Sequence, residues 1–175
     1  FGASLAIGEV LSTGGLELLV GAPGANRVLV YSGFPDAPYL VHELVPPGTT
    51  VMQPVQFGHS IALEPASAGT LAAVWVGAPE AASVTRFIGD AGEYSWVLTS
   101  TRFGAAIAMA GLDAIVGAPT YNDGPGPGGA VFRIPTPAAL PGEQQDCVVD
   151  ARCALPGCVM GVCVGGVFCS SATTT

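Results

Sequence analysis

One pattern recurs in step along the first 134 residues and constrains the fold more than any composition figure. Phe1-Gly2-Ala3-Ser4-Leu5-Ala6-Ile7 is followed by Leu18-Leu19-Val20-Gly21-Ala22-Pro23 and then by Arg27-Val28-Leu29-Val30-Tyr31. The same order returns as Phe57-Gly58-His59-Ser60-Ile61-Ala62-Leu63, Val74-Trp75-Val76-Gly77-Ala78-Pro79 and Val84-Thr85-Arg86-Phe87-Ile88. It returns again as Phe103-Gly104-Ala105-Ala106-Ile107-Ala108-Met109, Ala114-Ile115-Val116-Gly117-Ala118-Pro119 and Ala130-Val131-Phe132-Arg133-Ile134. A repeat of this size is one supersecondary unit that cannot bury its apolar faces alone, so neighbouring copies must stack.

Within each copy, short apolar or β-branched runs are punctuated by Gly, Pro, Asn or Asp, which reads as antiparallel strands joined by tight connections. The small residues of the first run suit a strand that neighbouring sheets approach closely. The second run is continuously apolar, as expected when both faces are covered. Gly-Ala-Pro ends it, because Pro cannot donate to a central ladder and Gly permits a sharp change of direction. A fourth, outer strand is predicted at 39–45 and 93–98. The third copy has none, because Ile134 runs into the stiff Pro135-Thr136-Pro137-Ala138-Ala139-Leu140-Pro141. Phe-to-Phe offsets of 56 and 46 residues fit four-stranded propeller blades. The expected fold class is all-β, with blades at about 1–50, 51–99 and 100–134, the last incomplete, then a Pro-rich linker over 135–146 and a Cys-rich tail over 147–175.

The Phe-Gly openings and Gly-Ala-Pro closures resemble FG-GAP repeats, the units of the integrin-α-type β-propeller, over residues 1–134. The resemblance implies a ring of about seven four-stranded blades. Three blades cannot close such a ring, so the chain resembles the C-terminal part of a longer propeller, with further blades or other chains completing it. In closed propellers of this kind the last blade is often completed by an N-terminal strand, which agrees with the strand missing from the third copy. The resemblance also implies an extracellular or cell-surface setting and a protein or glycan ligand.

Composition narrows the remaining classes. Half of the 175 residues are hydrophobic and only 10% are charged, with a mean hydropathy of +0.55, so the chain can bury a core. Thirteen Asp+Glu against five Lys+Arg give a net charge of -8, and all five cations are Arg, which argues against a phosphate-tracking nucleic-acid surface. Twenty-five Gly and 15 Pro are too many for a helical bundle and lack the period of collagen. The first residues carry no Met, basic region or apolar run, so a signal peptide is expected to be absent or removed, and the chain to be a fragment.

The resemblance directs attention to a calcium loop between Phe-Gly and Gly-Ala-Pro, where a hard cation would need six to eight oxygens. In the first copy Glu9 and Glu17 lie near ligand positions, but Leu11 has no oxygen to give and Thr13 no charge. The second copy offers Glu64 alone and the third shortens to Ala110-Gly111-Leu112-Asp113. Plain hairpins are expected, with no cofactor or metal. The longest insertion inside a repeat starts at Tyr121-Asn122-Asp123 and runs to Gly129. Long loops on rigid scaffolds are where ligands tend to bind, so Tyr121, Asn122 and Asp123 are the candidate binding residues, although the same composition suits a solvated turn. Trp75, Phe1, Phe57 and Phe103 read as core aromatics, whereas Trp96 is a candidate for stacking on carbohydrate.

No catalytic constellation emerges. Gly58-His59-Ser60-Ile61-Ala62 superficially matches a nucleophile elbow, with His42 the other histidine. Repeat phase makes Ser60 equivalent to Ser4 and Ala106, which marks a recurring strand position. The carboxylates Glu9, Glu17, Glu64 and Asp113 have no partner fixed by spacing.

All five cysteines, Cys147, Cys153, Cys158, Cys163 and Cys169, fall in the tail. The tail is similar to short secreted modules with a C-x-x-D-x-x-C opening. So few residues cannot build a core without covalent staples, which favours a disulfide knot in an oxidising compartment. Zinc is the alternative, but C-x-x-C pairs and a nearby His are lacking. An odd count implies a sixth Cys elsewhere or a bridge to another chain. The uncharged run from Cys153 onward is too rich in Gly and Cys for a membrane span, and the terminal Ser/Thr run suits a linker or an O-glycan carrier. The expected function is a non-catalytic extracellular or cell-surface binding and adhesion module. The alternatives are a structural subunit of an extracellular polymer and the accessory propeller of a secreted enzyme.

Overall fold

The computed structural model describes residues 1–12, 14–33, 35–47, 54–66, 70–89, 91–98, 101–121 and 128–135, with the pairs 158–159 and 162–163. The described chain is all-β, and its main strands form three antiparallel sheets in which strand order follows chain order. The first sheet contains β1 (Leu5–Gly8), β2 (Glu17–Ala22), β3 (Arg27–Ser32) and β4 (Tyr39–Leu44). The second contains β5 (Ser60–Glu64), β6 (Ala73–Ala78), β7 (Ser83–Ile88) and β8 (Ala91–Val97). The third contains β9 (Ala106–Ala110), β10 (Asp113–Ala118) and β11 (Ala130–Ile134). A last, two-residue ladder pairs β12 (Cys158–Val159) with β13 (Val162–Cys163) and sets Cys158 opposite Cys163. The other three cysteines and the linker from residue 136 lie outside the described residues.

The strands follow the repeat closely. β2, β6 and β10 each end at the Ala of Gly-Ala-Pro, where the proline has no donor for the ladder. Ser60 faces Gly77 across β5 and β6, and Ala106 faces Gly117 across β9 and β10, so the register is carried over with the motif. Each four-stranded sheet is also bulged at the same repeat position, between Val30 and Tyr31 in one and between Arg86 and Phe87 in the other. The third sheet ends at β11 among the described residues.

Two apolar clusters fill the spaces between successive sheets. Between the first and second, Leu19, Val28, Val30 and Leu44 meet Phe57, Val74, Val76 and Phe87. Between the second and third, Trp75, Val84 and Leu98 meet Phe103, Val116, Phe132 and Ile134. Alternation along each strand explains the division, because odd and even positions point into different interlayers. Hence β6, which has a sheet on either side, is buried at every position, as a continuously apolar run requires. Full burial of Phe57 and Phe103 contributes roughly 1.5–3 kcal/mol each. Their rings also pack edge-on against Phe87 and Phe132, with centroids 5.9 and 5.6 Å apart.

Phe1 differs from its two repeat mates. Expected in the core, it is 80% exposed, because no sheet among the described residues packs on the side of the first sheet where its equivalents are buried. No helix among the described residues is long and apolar enough to cross a membrane.

Candidate functional site

The most specific geometry in the chain is the seam where one sheet meets the next, and it is built twice from the same residues. The Ser4 hydroxyl donates to the Gly58 carbonyl at 2.8 Å, and the Ser60 hydroxyl donates to the Gly104 carbonyl at 2.7 Å. Each accepting glycine holds a left-handed backbone, with φ of +88° at Gly58 and +89° at Gly104, which a side chain would strain. The residue before each Phe is also left-handed, Gln56 at +58° and Arg102 at +50°. Matching turns close there, with His59 N–H donating to Gln56 O and Ala105 N–H to Arg102 O, both at 3.1 Å.

The glycine of Gly-Ala-Pro is the other half of the seam. A Cβ placed on Gly21 would lie 2.1 Å from the Gly58 carbonyl oxygen, and one on Gly77 would lie 2.1 Å from that of Gly104. These distances leave no room for any side chain. The Phe-Gly turn of each sheet therefore presses its carbonyl onto the bare backbone of the sheet before it, and the serine hydroxyl binds that carbonyl from beside the glycine. This accounts for the serine that sequence phase equates with Ser4. Ser60 is buried and engaged with a carbonyl, so the apparent nucleophile elbow is a structural clamp.

Carboxylates also have structural partners that the sequence did not assign. Glu17 is fully buried, and its Oε2 accepts from Val10 N–H at 2.9 Å and Leu11 N–H at 3.2 Å. The carboxylate that lies near a calcium-ligand position of the resembled loop is thus engaged in closing the β1–β2 connection. Glu64 forms a buried two-point ion pair with Arg86, with Nε to Oε2 at 2.8 Å and an end nitrogen to Oε1 at 3.1 Å. Trp75 Nε1–H adds a third bond to Glu64 Oε2 at 3.2 Å. The signal for the pair was Arg86 interrupting an apolar strand, a position tenable in an interlayer only beside an acid. Asp113 and Arg133 form an exposed counterpart on the third sheet. Among the described residues no cluster of His, Cys, Asp and Glu is arranged to hold a metal.

Of the predicted ligand residues, only Tyr121 has its side chain among the described residues. Tyr121 N–H bonds Ala118 O at 3.1 Å, and its ring packs edge-on against Phe132 with centroids 5.4 Å apart. It is half-buried at the margin of the second cluster, so it anchors the base of its loop. Asn122 and Asp123 lie outside the described residues. Trp96 belongs to β8 of the second sheet, where its backbone pairs opposite Val84 of β7, and its side chain is outside the described residues. No family model matches the chain, and no curated protein matches it in sequence.

Proposed function

We propose that residues 1–134 are blades of a β-propeller of the FG-GAP kind and serve as a non-catalytic binding and adhesion module at the cell surface or outside the cell. The observation that carries this reading is the repeated seam. A contact made once is a packing detail, but one made twice with the same Gly, Ser and Phe positions is a stacking rule. A rule of that kind generates a radial array whose strand edges stay short while its loops vary from copy to copy. The insertion starting at Tyr121 is the longest of these inside a repeat, and Tyr121 at its start packs against Phe132. The cysteine tail, with Cys158 opposite Cys163, agrees with an oxidising setting.

The test is a binding screen of the labelled full chain against panels of glycans and extracellular-matrix proteins, repeated with 122–128 replaced by Gly-Gly. Saturable binding that disappears in the shortened variant supports the module and places its ligand at that loop. An absence of saturable binding across both panels would overturn it. A second reading, the subunit of an extracellular polymer, is favoured by a different observation, the exposure of Leu5, Ile7 and Val131 on outer faces of the first and third sheets that no described residue covers.

A further inference from the structure

We infer that the two ends of the three-sheet stack are complementary halves of one seam, and that a second copy of this chain docks there head to tail. The inference rests on the stacking rule above and gives the polymer reading a contact surface.

The leading half is carried by the first sheet. Phe1, Gly2, Leu5, Ile7, Leu18 and Tyr31 occupy the repeat positions of Phe57, Gly58, Ile61, Leu63, Val74 and Phe87, which the second sheet presses against the first. In the leading half that surface is open, with Leu5 63% and Ile7 48% exposed. The trailing half is carried by the third sheet. Ala106, Ala108, Ile115, Gly117 and Val131 occupy the positions of Ser60, Ala62, Trp75, Gly77 and Val84, which receive the third sheet on the second. Val131 there is 72% exposed. A Cβ on Gly117 would meet nothing nearer than Ala106 Cβ at 3.6 Å, so the slot filled at Gly21 and Gly77 by a carbonyl is open at Gly117.

The occupant follows from continuity with the two seams already formed. Each joins a leading half bearing Phe-Gly to a trailing half bearing a bare Gly beside a small residue, and the described residues expose one of each at opposite ends of the stack. Such a contact is heterologous, so successive copies extend until they close or stop. One difference sets its strength. Ala106 stands where Ser4 and Ser60 carry the clamping hydroxyl, so the intermolecular seam lacks one hydrogen bond and is weaker than those within the chain.

Sedimentation velocity of the full chain over a wide concentration range tests this, with a non-reducing gel reading any covalent dimers separately. The wild type is expected to associate reversibly. Gly117→Val fills the open slot and Leu5→Asp charges the opposite face, so each alone is expected to remain monomeric with unchanged circular dichroism. Mixed together they should form a dimer that grows no further, since each keeps one intact half. Ala106→Ser should tighten association about five-fold, the factor of one typical hydrogen bond. A wild type that stays monomeric throughout would overturn the inference, as would association abolished by Leu5→Asp but untouched by Gly117→Val, which would mean two first sheets facing each other. Neither result bears on ligand binding by the loop, which the array screen reads independently.

Discussion

Replacing Gly77 by Ala adds one methyl group where the account allows none. The new Cβ would sit 2.1 Å from Gly104 O and 2.3 Å from Ser60 Oγ, whereas ordinary contact begins near 3.4 Å. The obstructing oxygen belongs to a backbone fixed by its own turn, so the sheets must separate by roughly 1 Å. That displacement breaks the Ser60 hydroxyl bond, worth about 1 kcal/mol, and loosens the packing of Phe103, Trp75 and Val84 by the 1–3 kcal/mol typical of overpacked cores. The expected loss is about 3 kcal/mol. Gly117→Ala makes the same chemical change at the same repeat position, but its nearest neighbour is 3.6 Å away. It should be neutral or stabilise by about 0.5 kcal/mol through the unfolded chain. Urea unfolding followed by the fluorescence of buried Trp75 reads both, with Gly77→Ala lowering the midpoint by about 1–2 M. Equal effects at the two glycines would refute the reasoning, because the pressed carbonyl and the serine hydroxyl bound to it are what distinguish Gly77 from Gly117.

Other predictions follow from the buried polar groups and the tail. Glu17→Ala leaves Val10 and Leu11 N–H without their acceptor and should cost about 1–3 kcal/mol. Adding calcium should leave the melting temperature of the wild type unchanged, and a rise of several degrees would contradict the assignment of Glu17 to loop closure. Arg86→Met strands a buried carboxylate and should cost about 3 kcal/mol or more. Arg133→Met breaks the exposed counterpart and should cost under about 1 kcal/mol, so a chemical-denaturation comparison giving equal losses would sink this account of the two pairs. Cys158 and Cys163 stand directly opposite in their ladder, within the backbone spacing a cross-strand disulfide spans. Non-reducing peptide mapping should recover that pair, and bridges from either residue to other cysteines would contradict it.

Much of the architecture was legible because the motif is tied to backbone geometry. Gly58 and Gly104 must be glycine for their left-handed angles, and Gly21 and Gly77 because a carbonyl presses on them. Constraints of this kind leave identical letters in each copy, so strand number, order and endings could be read from them. Residues that differ between copies were harder. Glu64 and Arg86 lie 22 positions apart, and only the register of β5, β6 and β7 brings them together. Glu17 was read only as a carboxylate near a ligand position in a loop too poor in oxygens for calcium, because sequence shows its oxygens but not the two backbone N–H groups curled toward it. Phe1 was expected in the core with its repeat mates, since pattern alone does not reveal that its side of the sheet has no neighbour among the described residues. The loop site was the least legible: Tyr121 packs against Phe132, Asn122 and Asp123 lie outside the described residues, and the ligand preferences of a variable turn leave no recurring mark.

Hydrogen exchange of the chain, held dilute enough to be monomeric and resolved by peptide, tests the stacking of the three sheets most directly. β6 is covered on both faces, and β2 and β10 on one, so amides of 73–78 should exchange most slowly, with 17–22 and 113–118 opening sooner. Equal protection in the three segments would mean that the sheets fold as separate units, and the seam built from Ser4, Gly21, Gly58, Ser60, Gly77 and Gly104 would not hold the molecule together.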